Sequence, residues 1–163
     1  DGVPTDSMQV ASELAAYISG QGFDLIICGQ ESIDYNGGVV PGALAAKLRL
    51  PFVNACIGLD LEGSQAQALR EMDGGKESLT ASLPLVVGGK KGLVEESELR
   101  IPNMRGIMTA RSKPLAVTSL TGATPLTGAA AFTKPAPKAA VQLIDSSNLD
   151  ELVRRLHEEA KVI

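Results

Sequence analysis

The stretch "FDLIICGQESIDYNGGVVPGALAAKLRLPFVNACIGLDLE", residues 23–62, restricts the fold more than any other part of the chain. An apolar run ends in Gly29 and a glycine-rich turn follows. A helix then opens at Pro41, whose fixed φ suits a first helical position. Ala43, Leu44, Ala45, Ala46 and Leu48 continue it, and residues 50–62 read as a second strand. Strand–turn–helix–strand is a βαβ unit, which implies a parallel pair and a right-handed crossover. The unbroken apolar run before Gly29 predicts a central parallel strand buried on both faces. The expected class is α/β.

The flanks extend this frame. Thr5, Asp6 and Ser7 are N-cap residues for a helix whose Val10, Leu14 and Ile18 form one apolar face, stopped by Gly20 and Gly22. Asp73-Gly74-Gly75, between two strand-like runs (67–75 and 76–89), predicts a hairpin. Arg70, Glu71, Glu77 and Thr80 suggest that it has one wet face. A charged loop, 88–103, surrounds Leu93-Val94. Residues 101–117 predict a short helix ended by Lys113-Pro114, then a strand. The Thr, Gly, Ala and Pro of 121–140 give an extended segment. Ser147 or Asn148 then caps a last helix with Leu149, Leu152, Val153 and Leu156 on one face. The chain divides into a nucleotide-binding-like α/β domain, 1–118, and an extended arm with a C-terminal helix, 119–163. That helix docks on its own domain or on a partner. Residues 1–6 lead straight into a helix, with no initiator Met, where such a domain usually opens on a strand. A missing natural N-terminus is expected.

Several function classes are disfavoured. A net charge of −4 with scattered Lys and Arg argues against a broad nucleic-acid surface. No apolar run reaches the ~20 residues of a membrane span. Cys28 and Cys56 sit in apolar runs without a CxxC partner. They read as buried free thiols, which suits a reducing, cytoplasmic compartment. The one histidine, His157, lies in the charged "RRLHEE" stretch, so no protein metal site is expected. No Ser–His–Asp or Cys–His pattern is visible, and no catalytic residue is assigned. Arg70, Glu71, Asp73 and Glu77 read as turn and surface charges.

The turn itself is the candidate site: Cys28, Gly29, Gln30, Ser32, Asp34, Gly37, Gly38, Val39, Val40 and Pro41. A helix N-terminus offers free N–H groups and partial positive charge to an anion. Gly37 and Gly38 permit close backbone approach, and Asp34 can accept from a hydroxyl or cap the turn. Val39 and Val40 cannot hydrogen-bond a phosphate through their side chains, so backbone N–H groups would have to hold it. A nucleotide site and a purely connecting βα turn both remain open.

Four stretches together resemble the beta subunit of electron transfer flavoprotein. They are "GQESIDYNGG"; "LREMDGGKESLTASLPLVV"; Ile101-Pro102-Asn103 with Gly106-Ile107-Met108 and Ala110; and the arm with its final helix. The resemblance implies a three-layer Rossmann-like (adenine nucleotide alpha hydrolase-like) fold built on a parallel sheet with a hairpin. It implies an electron carrier that takes electrons from flavin dehydrogenases, paired with an alpha subunit that holds most of the FAD. The beta site would take AMP or, in electron-bifurcating members, a second FAD. Gly38, Val39 and Val40 stand where ordinary members carry Asn-Gln-Thr. Bifurcating members read Asp-Gly-Asp-Thr-Ala-Gln-Val-Gly-Pro, and Asp34–Gly42 matches neither pattern. Leu93, Val94 and Glu95 correspond to the loop that docks on the dehydrogenase, its leucine entering an apolar pocket; the family's Pro and Arg become Glu96 and Ser97. The arm corresponds to the segment that wraps the alpha subunit. The family's opening βα units have no counterpart in this sequence. Two other expectations compete: an adenine-nucleotide-binding domain without redox function, and a structural remnant with an empty turn.

Overall fold

The computed structural model describes residues 6–163. Helix α1 (Ser7–Ile18) starts at Asp6, whose carboxylate accepts from Gln9 N at 3.0 Å. Thr5 lies outside the described residues. Gly20 and Gly22 end the helix with φ of 83° and 71°, values that an L side chain adopts only under strain. Strand β1 (Leu25–Gly29) leads through the turn to α2 (Val40–Leu48), and β2 (Phe52–Glu62) follows. Strands β3 (Gln65–Met72), β4 (Gly75–Ser82) and β5 (Leu85–Gly89) complete the sheet.

The architecture is α/β with a mixed, five-stranded open sheet of order β1-β5-β2-β3-β4. Strands β1, β5 and β2 are parallel; β2, β3 and β4 form an antiparallel meander. The expected parallel sheet with a hairpin is more mixed than that, in two places. Residues 76–89 break at Leu83-Pro84 into an antiparallel strand and a parallel one. A second turn at Gly63-Ser64 joins β2 to β3. Strand β1 is not central either: among the described residues it is an edge, with Ile27 58% exposed. The βαβ crossover from β1 to β2 leaves a gap one strand wide, and β5 fills it. Leu85, Val86 and Val87 of this inserted strand are consequently fully buried, as are Cys56 of β2 and Ala66 of β3.

The core lies on one face of the sheet, where Val53, Cys56, Ala66, Ala68, Leu85 and Val87 pack together. Small residues on β3 let the aliphatic side chains of β2 and β5 close over it. Strand β2 is irregular at its centre, where Ala55 has φ 51° and the register shifts on both sides. The hairpin charges do not form one wet face. Arg70 pairs with Glu77 (2.6 Å) at the end of the face that carries Ala66 and Ala68. Gln67 meets Thr80 (2.7 Å) on the other face.

Beyond the sheet, Asn103 caps α3 (Met104–Ala110) by accepting from Gly106 N at 2.8 Å. The strand expected after Pro114 does not form; Leu115 and Val117 are exposed and unpaired. The molecule separates into two compact units at Gly128/Ala129. The reason is that Asp6 and Glu13 of α1 hold the segment 121–127. In the second unit, an extended stretch leads to Asn148, which caps α4 (Leu149–Arg154). A wider π turn, Arg155–Glu159, continues it. Leu149, Leu152 and Val153 are exposed there.

Candidate functional site

The site is built where three chain segments meet. Strand β1 delivers Ile27, Cys28 and Gly29 to the end of the sheet. The turn adds Gln30, Ser32, Asp34 and Gly37, and α2 adds Val40 and Pro41. They line an open cleft of about 460 Å³. Eight of the ten residues singled out from the sequence therefore come together. Gly38 and Val39 do not line the cleft; Val39 is the N-cap residue of α2 and is 51% exposed.

The turn is pinned locally. Ser32 N donates to Gly37 O at 3.2 Å, and Asn36 adopts φ 51° between them. Asp34 accepts from Ser32 Oγ and from Tyr35 N (2.8 Å). The Ser32 hydroxyl and the Tyr35 N–H hold its carboxyl below the usual carboxylate range. Asp34 is thus an ionised acceptor at the cleft. Burial pushes the Cys28 thiol up, so it is a neutral, weakly polar wall residue. At Gly37 a Cβ would meet Ser7 Oγ at 3.7 Å and at Gly38 it would meet Gln30 O at 3.5 Å, ordinary contacts. The glycines leave room without recording a forced approach. Helix α2 has no side-chain cap and no acidic residue in its first turn, so its leading N–H groups are not taken up by a side chain.

The sequence reading missed the contribution of α1. Asp6, Ser7, Val10 and Leu14 form the opposite wall. Val10 and Leu14 of the apolar face line the cleft; the buried α1 residues are Ala11 and Glu13.

Gly92 takes φ 103°, and the chain folds back so that Leu93 packs against the sheet core. A Cβ at Gly89 would lie 3.0 Å from Leu93 Cδ2. Leu93 is therefore half-buried under its own loop. Val94, 52% exposed, and Glu95 stand outside it. Lys90 bonds Glu71 at 2.7 Å and fixes the start of this loop to β3.

Comparison with known proteins bears on this frame directly. The family model for the electron transfer flavoprotein domain matches residues 3–123. The chain belongs to the electron transfer flavoprotein family. The electron transfer flavoprotein subunit beta of Bacillus subtilis (strain 168) is 33% identical over 168 residues, covering 97% of this chain and 64% of the relative. The protein of the same name from Syntrophomonas wolfei is 34% identical over 135 residues, covering 83% of this chain and 52% of the relative. That of Mycobacterium leprae is 38% identical over 100 residues. The chain thus spans less than two thirds of the length of these relatives. Among the described residues, no helix is long and apolar enough to cross a membrane.

Proposed function

We propose that this chain is a beta-type subunit of an electron carrier. With an alpha subunit holding FAD, it accepts electrons from flavin dehydrogenases and passes them on. The cleft between α1, the end of β1 and the start of α2 carries the reading, because it joins an uncapped helix N-terminus to an apolar wall. A mononucleotide suits it. Val10, Leu14 and Ile27 offer apolar contact to a base, Asp34 an acceptor to a sugar hydroxyl, and α2 N–H groups a cradle for phosphate. Its volume lies toward the lower end of the ~300–1,000 Å³ of ligand pockets. Within a three-layer Rossmann-like (adenine nucleotide alpha hydrolase-like) fold, the cleft would sit where a parallel strand ends.

A bound flavin supplies the one- and two-electron chemistry; the residues of this chain bind, orient and select. No acid–base step is assigned to them. Val94, with Glu95 beside it and Leu93 anchoring the loop from within, is the recognition surface for a dehydrogenase. The free thiols of Cys28 and Cys56 support a reducing, cytoplasmic setting. Co-purification of the full-length protein with its alpha subunit tests the reading. A yellow complex with FAD and AMP is expected. An alpha subunit that purified free of it would sink the proposal. Nucleotide binding without any flavin complex would point instead to a nucleotide-binding domain without redox function.

A further inference from the structure

Asp6 and Glu13 are the two buried charged residues among those described, 4% and 8% exposed. Neither has a cationic partner among the described residues. Both are satisfied by the strap of residues 121–127. Glu13 Oε2 accepts from Thr121 N (2.6 Å) and Thr121 Oγ1 (2.8 Å), and Oε1 from Ala123 N (2.7 Å). Asp6 accepts from Leu126 N (3.1 Å) and Thr127 Oγ1 (2.5 Å) besides capping its own helix at Gln9 N. Gln9 Nε2 adds a bond to Ala123 O at 2.9 Å. The strap has little apolar anchorage, since Leu120 and Leu126 are 50% and 71% exposed. Charge-assisted hydrogen bonds therefore do the fastening. These donors hold both carboxyls below the usual carboxylate range.

Asp6 also forms part of the cleft wall, beside Ser7, whereas Glu13 does not. The charged groups that line the cleft are Asp6, Glu31 and Asp34, all acidic. With the strap fastened, the charge of Asp6 is spread over three donors. With the strap released, it keeps only Gln9 N and stands as a bare carboxylate facing the cleft. We propose that Asp6 and Glu13 form a two-point latch that fastens the strap to α1, and that the fastened strap favours an anionic ligand in the cleft by muting Asp6. The coupling rests on the nucleotide reading above; the latch does not. Because coupling is reciprocal, the ligand in turn tightens the strap.

Glu13→Gln separates the two parts, because it weakens the latch without touching the cleft. In the full-length protein, amide exchange at Thr121 and Ala123 is expected to accelerate about tenfold, the effect of losing about 1.4 kcal/mol of local protection. The dissociation constant for AMP should rise about fivefold. That for adenosine, which lacks the phosphate, should change less than about twofold. Thr127→Val removes a donor to Asp6 and is expected to act in the same direction, so the test survives if Glu13→Gln fails to fold. Unchanged exchange in both variants overturns the latch. Faster exchange with unaltered AMP affinity overturns the coupling. Failure of the parent protein to bind AMP overturns the nucleotide reading and the coupling with it, while exchange still decides the latch.

Discussion

Val39 occupies the position where a side chain would otherwise compete with a ligand for α2. It is the N-cap residue, it makes no capping bond, and it leaves the leading N–H groups to whatever enters the cleft. A carboxylate there should help the helix and hinder the ligand. Val39→Asp is expected to raise stability by about 0.5 kcal/mol through the helix dipole. It should weaken AMP several-fold by occupying the same N–H groups. Denaturant titration and binding calorimetry would move in opposite directions; parallel movement would contradict a phosphate at α2. Ala55 is the second informative residue. Its φ of 51° costs an L-residue ~1–2 kcal/mol, and glycine escapes that while adding ~0.4–1 kcal/mol of unfolded-state entropy. Ala55→Gly should therefore stabilise the fold by about 0.5–1 kcal/mol, read as a rise in the denaturation midpoint. A fall would mean that the β2 bulge is not strained there.

At the scale of elements, local chemistry marked most boundaries and non-local pairing hid the order. Gly20, Gly22, Pro41, Asp73-Gly74 and Asn103 each act within a few residues of themselves, so α1, α2, the β3–β4 hairpin and α3 were legible. The separation of β1 from β2 was not, because it depends on β5 inserting between them from a distant part of the chain. Leu115 and Val117 look strand-like, but no neighbour supplies a ladder. The turn half of the cleft was readable from its glycines and Pro41. The α1 half was not, since it depends on how α1 packs against α2, which no local signal marks. The last helix offers a test of what its charges do. Hydrogen bonds from Arg154 and Arg155 hold the Glu151 carboxyl down at about 2. A depressed carboxylate contributes stability above its unfolded pKa of ~4.3 and loses it as pH falls toward the folded value. Helicity around residues 148–159 should therefore be flat from about pH 8 to 5 and fall between about pH 4.5 and 2. Glu151→Gln should start lower and lose most of that acid step in circular dichroism; an equal step in both proteins would show that other carboxylates cause it.

Over the whole molecule, apolar surface is distributed unevenly. The sheet buries Leu85, Val86 and Val87 completely, yet Phe132, Val141 and Leu143 of the second unit are 83%, 83% and 93% exposed. An extended segment that buries so little cannot offset the ~1–2 kcal/mol per residue of backbone entropy that ordering costs. A surface outside this chain that covered those side chains would supply the missing term, at roughly 25 cal/mol per Å² of apolar area. The proposed alpha subunit would be such a surface. The strap at 121–127 then matters for assembly as well, because it fixes the point from which the arm leaves the α/β unit and lowers the entropy of capture. Limited proteolysis of the full-length protein alone should cut first between Gly128 and Asp145, with amides there exchanging at nearly unprotected rates. In the complex with its alpha subunit, cleavage should slow by at least tenfold and Phe132, Val141 and Leu143 should become protected together. Protection of this segment in the free protein, or its continued cleavage in the complex, would show that the arm finds its cover elsewhere.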